Sequence, residues 1–264
     1  MGCIKWRKKV FTFTRRDGSL AAAKKIQIIG TELGPLQYIL GFHSTTVMNF
    51  ITWNKAYSLF PWTTFVLRIG VVTKTIKAAE ARCLEKYSER GWRHVPHVLE
   101  VDDDSLRNPV RSERCVADTF SWVVPLDTSG VAKPDTPDHV IELSSWRCMT
   151  SNGPDAGLRP TLCIGTQLFS NIFRHQYLCA DGCAKFVIEQ IRGLQHVERM
   201  KLIPKGANSG WHWPFAWYFP HVLPRPAGYS YWDDYFPKFY RLYLERARVQ
   251  IKLQRQWDGR VGVI

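Results

Sequence analysis

The sequence has no apolar run long enough to cross a bilayer. Its most hydrophobic stretch, FVLRIGVV, is broken by Arg68 and is far shorter than the roughly 20 residues a spanning helix needs. No transmembrane segment is expected. A paired cysteine framework is missing too: Cys3, Cys83, Cys115, Cys148, Cys163, Cys179 and Cys183 are odd in number and irregular in spacing. Residues 1–25 hold no apolar core of the secretory kind. These absences predict free thiols in a reducing compartment, cytosol or nucleus.

Motifs for catalysis or cofactor binding are equally scarce. Gly30, Gly34 and Gly41 lack the spacing and the lysine of a phosphate loop. Asp127-Thr128-Ser129-Gly130 carries its glycine one place late for an aspartic protease loop, and no second copy exists to share a proton. Asp102, Asp103 and Asp104 are adjacent, whereas calcium-loop ligands alternate. His94 and His97, three apart on a strand-like segment, point to opposite faces. No catalytic or cofactor-binding residue is therefore nominated, and the sequence leans away from an enzyme. His43, His139, His175 and the thiols remain as the chemistry a site assembled from distant positions would use.

What the chain does have is positive charge at both ends. Its formal charge is +13 over 264 residues. Residues 1–25 hold eight Lys or Arg against Asp17 alone, and residues 235–264 hold seven against Glu245 and Asp258. The 209 residues between sum to +1. Two basic ends on a neutral body suggest polyanion contact by the ends. The candidate polyanion-binding residues are Lys5, Arg7, Lys8, Lys9, Arg246, Arg248, Lys252 and Arg255.

The pattern of elements predicts an α+β fold: a small antiparallel or mixed sheet flanked by helices, with an aromatic, proline-rich arm and a basic C-terminal helix. The expected units are a basic tail over residues 1–25, a body over 26–210 with an internal boundary at 150–160, and the arm with its helix over 211–264. VFTFT alternates as a strand, RRDGS supplies a turn and KKIQIIG is the returning strand. VMNFIT reads as a buried strand, and NKAYSLFP as a brief helical turn stopped at Pro61. KAAEARCLEKYSER, followed by Gly91, is the clearest helix. RHVPHVLEV, DTFSWVVPL and HVIEL read as strands, and TSNGPDAGLRP as a loop. TQLFSNIFRHQYL and CAKFVIEQIRGLQHVERMK read as helices, with Asp181 capping the second.

Residues 211–243 hold 14 of the 35 aromatic residues, punctuated by five prolines. An arm so aromatic must bury its rings on the body or on a partner. Beyond Pro237 a helix is expected to about Gln256, with Phe236, Tyr240, Tyr243, Ala247 and Ile251 on one face.

Two small patterns suggest modification or metal. Gly2 follows Met1 and Cys3 follows Gly2, so MGCIK resembles the acylated start of Src-type tyrosine kinases. That resemblance implies lipidation at Gly2 and Cys3, although Trp6 stands where the pattern carries Ser or Thr. One acyl chain anchors weakly, and the neighbouring cations would supply a second contact. His175, Cys179 and Cys183, four apart, would share one face of an unbroken helix and are candidate zinc ligands with Cys163 as a fourth.

HSTTVMNFITWNKAYSLFPWTTF resembles a group of uncharacterised proteins of filamentous fungi, with related texture through YSERGW and TFSWVVPLD to IELSSW. No activity attaches to that group, so the resemblance implies a fungal source and no mechanism. The expected function is a non-enzymatic interaction protein, cytoplasmic or nuclear, whose basic ends meet an unknown protein partner or an acidic membrane surface peripherally. The alternative partner is nucleic acid, with the C-terminal helix on phosphates and the arm's rings on bases.

Overall fold

A computed structural model describes residues 8–14, 25–31, 34–74, 76, 78–95, 113–153, 157–163, 165–168, 170–202 and 225–261. Strands β1 (Lys8–Thr14) and β2 (Lys25–Thr31) form the expected hairpin, with Phe11 opposite Ile28 and Phe13 opposite Ile26. Helix α1 (Pro35–Leu40) begins on a proline, whose missing N–H is no loss in a first turn. Strands β3 (Asn49–Ile51) and β4 (Lys55–Ser58) pair antiparallel. The expected helical turn over NKAYSLFP is thus corrected to a strand. Lys55 and Tyr57, two apart on one strand face, both reach Glu142. Pro61 stops nothing: it is the N-cap of a π-helical turn at Trp62–Val66.

Strand β5 (Ile69–Val71), helix α2 (Ala78–Ser88) and strand β6 (Arg93–Val95) form a parallel pair joined by a helical crossover. Helix α2 ends as predicted, with Gly91 at φ +94°. Strand β7 (Glu113–Cys115) follows, and β8 (Trp122–Pro125) pairs with β4 to give a sheet of order β3-β4-β8. Helix α3 (His139–Glu142) replaces the strand expected at HVIEL. Its Glu142 and the preceding Asp138 are four apart, so one turn brings both carboxylates to Lys55, at 2.6 and 2.7 Å.

Strands β9 (Ser145–Gly153) and β10 (Gly157–Cys163) pair, and β9 also pairs with β7. Most of the stretch expected as a loop at 150–160 is therefore strand, with Thr150 opposite Pro160 and Asn152 opposite Leu158. Strands β11 (Thr166–Leu168) and β12 (Tyr177–Cys179) replace the first of the two expected helices. The chain reverses between them because Asp233 accepts the backbone N–H groups of Arg174 and His175, at 2.8 and 3.1 Å. The second expected helix is α4 (Asp181–Lys201). Ala180 is its N-cap, and the Asp181 carboxylate accepts the Thr166 hydroxyl instead of capping. Helix α5 (Phe236–Val261) closes the described chain. The fold is α+β, built from helices and several small, mostly antiparallel sheets.

Two apolar cores result. The first gathers Leu40, Met48, Tyr57, Phe60, Val71 and Trp146 between β4, β5 and β9. The second gathers Leu168, Ile172, Tyr177, Val187, Ile191 and Phe236 between β11, β12, α4 and α5. Tyr177 stacks on Phe236 with ring centroids 3.7 Å apart, and Phe173 meets both edge-on. The expected face of α5 is confirmed where side chains are described: Phe236 and Tyr240 are buried, and Tyr243 donates to Glu113 at 2.7 Å.

Arg114 on β7 is 1% exposed and charged. Its guanidinium pairs with Asp118, donates to the Leu59 carbonyl at 2.9 Å and to Ser121 at 3.1 Å, and lies over the rings of Phe60, Phe120 and Trp146. A buried cation is tolerated only when so paired. Asp118→Ala should therefore cost about 3 kcal/mol, the low end for breaking a buried pair, because Asp118 keeps some solvent contact. The double variant Arg114→Met/Asp118→Ala should recover part of that loss. Urea unfolding midpoints compare them; equal stability of the single variant and the parent chain would contradict this role.

Candidate interaction surface

The alternation along β1 and β2 sorts their residues by face. Phe11, Phe13, Ile26 and Ile28 share one face, and Val10, Thr12, Gln27 and Ile29 the other, where Gln27 donates to Thr12 at 3.3 Å. All four residues of the first face are between 52 and 67% exposed. A lone two-stranded ribbon is marginal in water, and an apolar face left open on it marks a contact surface. Lys9 is exposed beside it. In sequence, both strands are flanked by cations, with Arg15 and Arg16 after β1 and Lys24 before β2.

The other nominated polyanion-binding residues divide between the two ends. Lys5 and Arg7 lie outside the described residues, as do the lipidation candidates Gly2 and Cys3, and Lys8 begins β1. On α5, Arg246 is exposed with its guanidinium 5.9 Å from the Phe186 ring centre, and Arg248 is exposed. Lys252 and Arg255 fall on the same helix. The two ends are not alike. The start of α5 is seated in the second core, whereas the hairpin's apolar face is open.

The described part of the aromatic arm is divided. Tyr229 donates to the Asn171 carbonyl, the Trp232 backbone N–H donates to the Ile172 carbonyl at 2.8 Å, and Phe236 and Tyr240 are core. Tyr231 and Tyr235 are exposed, with Arg225 over the first ring and Lys238 over the second. Residues 211–224, which carry the rest of the arm's rings, lie outside the described residues.

The helical alignment expected for His175, Cys179 and Cys183 does not form, because β12 ends at Cys179 and α4 starts at Asp181. His175 lies in the turn before β12, and its backbone N–H is held by Asp233. Cys179 and Cys183 are buried in the second core. Among the described residues no group of three or more His, Cys, Asp or Glu could hold a metal ion. The Cys163 side chain lies outside them. Hydrogen bonding to Cys179, together with burial, pushes the Cys183 thiol up, and burial does the same to Cys115. Thiols held protonated in this way are weak nucleophiles.

Among the histidines, His43 and His94 lie near enough for their charges to interact. His139 stacks on Tyr177 in the second core, and His43 sits beside Tyr87. His94 lies on β6, where Ser88 meets its Nδ1 at 3.3 Å and Gly70 leaves room for its ring; a Cβ at Gly70 would stand 2.8 Å from it. Asp127 begins an exposed turn, where the Ser129 hydroxyl and N–H hold its carboxyl below the usual range. Asp102, Asp103, Asp104 and His97 lie outside the described residues.

With this geometry in view, comparison with protein-family models, curated proteins and solved structures yields no match.

Sequence reasoning found the hairpin but counted its first strand within a basic tail. The signal for an open apolar face was the alternation of Phe11 and Phe13 with Thr12 and Thr14.

One titration follows from the first core. Burial lowers His43 below its ordinary value, assisted by Lys74 and opposed by Glu80. Burial also lowers His94, assisted by His43. Protonation is thus easier in the unfolded chain, so their contribution to stability is fully present above about pH 6.5 and lost as pH falls through the lowered folded-state values. Unfolding measured across that range should show this decline, and the double variant His43→Gln/His94→Gln should flatten it. An unchanged slope would assign the decline to other groups.

Proposed function

We propose that this chain is a non-enzymatic binding protein that docks on an anionic membrane surface through the β1–β2 hairpin and its flanking cations. The observation that carries this reading is the open face of Phe11, Phe13, Ile26 and Ile28, lying within the most basic part of the sequence. Apolar side chains entering the interface and cations meeting acidic headgroups are complementary contributions to peripheral binding. Each buried ring or branched chain contributes about 1.5–3 kcal/mol, and each Lys or Arg near the surface about 1 kcal/mol. Among the described residues no helix is long and apolar enough to cross a membrane, so the contact is of the surface kind. Acylation at Gly2 and Cys3 would add a further anchor at the same end of the chain.

Flotation of the full chain with vesicles tests this. Vesicles of phosphatidylcholine containing phosphatidylserine should recover the protein, and phosphatidylcholine alone should not. Recovery should weaken as salt rises to physiological strength. Phe11→Ser/Phe13→Ser should lower the partition coefficient by at least roughly tenfold, with the far-UV spectrum of the body retained. Equal recovery on both vesicles, or no effect of the double variant, would reject the reading. Salt-sensitive binding of generic RNA without vesicle binding would favour nucleic acid instead.

A further inference from the structure

The sheet β3-β4-β8 has two unlike faces, and the outer one is a second, independent surface. Its inner face carries Phe50, Tyr57 and Val123, with Phe50 stacked on Tyr57 at 4.8 Å against the first core. By alternation, its outer face carries two cross-strand rows: Ile51, Ala56 and Val124, then Asn49, Ser58 and Trp122. Both central residues, Ala56 and Ser58, are small. Larger side chains rise from the strands on either side, so a trough runs along β4. Phe65, from the π-helical turn, stacks on Trp122 at 5.8 Å and 12° and extends one wall. The resulting groove is about 600 Å³ and almost wholly apolar, within the range of small-molecule sites.

The inner end of this groove is polar and unpaired. Ser58 is 7% exposed, and its hydroxyl has no partner. The Asn49 amide nitrogen donates to the Thr46 carbonyl at 2.9 Å, which fixes the opposite amide oxygen as an acceptor. That oxygen is buried and also has no partner. Leaving such groups desolvated and unpaired is costly, so two of them at the end of one apolar groove define what it should accept. The occupant must be apolar along its length and offer one group that donates to Asn49 and exchanges a hydrogen bond with Ser58.

The lining selects its shape. Strands β3 and β8 stand about 9.5 Å apart, twice the usual strand spacing, and Trp122 with Phe65 gives one side of the trough an aromatic wall on which a flat ring can stack. A peptide strand is disfavoured, because a sheet face offers no backbone ladder to extend. The geometry points to a binding site for a planar aromatic alcohol, its ring above Ala56 between Ile51 on one wall and Val124, Trp122 and Phe65 on the other, its hydroxyl on Asn49 and Ser58.

Titration calorimetry of the full chain with 2-naphthol, and with naphthalene as the same rings without the hydroxyl, tests the site. The alcohol should bind about tenfold more tightly than the hydrocarbon. Ser58→Ala should cut that preference to about threefold or less while leaving naphthalene binding unchanged. Val124→Glu, at a half-exposed rim position that folding does not require, should weaken both probes at least tenfold. Ala56→Leu should do the same by filling the floor, with circular dichroism reporting that it folds. Equal affinity for the two probes overturns the site, as does no binding of 2-naphthol at its solubility limit. Affinity insensitive to Val124→Glu also overturns it. A dimer in sedimentation that dissociates in Val124→Glu overturns it as well, making this face an interface between copies of the chain.

Discussion

The first core is organised around a charge. Arg114 brings a guanidinium among the rings of Phe60, Phe120 and Trp146, and nearby structure supplies acceptors to its Nε and Nη2 while Nη1 has none. The Leu59 carbonyl, at the exit of the central strand β4, is one acceptor; Asp118 and Ser121, in the turn leading to β8, are the others. One side chain therefore sets the position of β7 relative to β4 and to the turn that leads into β8. An apolar residue there would fill the space without specifying which turn lies where.

Around that centre the sheets remain small, and the carboxylates of α3 provide a second tie. Lys55 lies between Asp138 and Glu142, and Tyr57 adds its hydroxyl to Glu142. Burial would raise the Asp138 carboxyl, but hydrogen bonds from Lys55 and Asn54 outweigh it and hold the group below its ordinary value. Burial beside Glu142 pushes Tyr57 up to about 12. The polar face of β4 is therefore engaged on the inner side of its sheet, which leaves the small residues Ala56 and Ser58 alone on the outer side. The groove is the geometric remainder of that choice.

The long helices were legible in the sequence, whereas the strands β9 and β10 and several short elements were not, for a physical reason. Helices α2, α4 and α5 contain enough turns for helix formers and 3.6-residue periodicity to outweigh other signals. Over four residues, the β-branched pair Val140-Ile141 suggested a strand, but the attraction of two carboxylates for one distant lysine decided for a helical turn. At LFSNIF the apolar spacing suited a helix, and the carboxylate that reverses the chain lies 59 residues from Arg174. No local pattern can carry that information. The alternation of the hairpin was visible, whereas its lack of a covering layer is a property of the whole fold. The groove draws on three separate strands, and the small size of Ala56 and Ser58 acquires meaning only once their neighbours are known.

Asp233 also fixes an order of events during synthesis. It receives two backbone N–H groups from the turn before β12 and the hydroxyl of Tyr177 at 3.0 Å, and Phe236 follows it into the stack. Tyr177 of β12 leaves the ribosome 56 residues before this partner does, and β11 earlier still. Until then Tyr177 has no acceptor from Asp233, its ring lacks Phe236 above it, and the reversal between the strands lacks its carboxylate. A nascent chain thus carries a first core complete but for Leu178 by the time Trp146 has emerged, next to a second that waits for α5. The two halves of the fold are separated in time before they are joined in space.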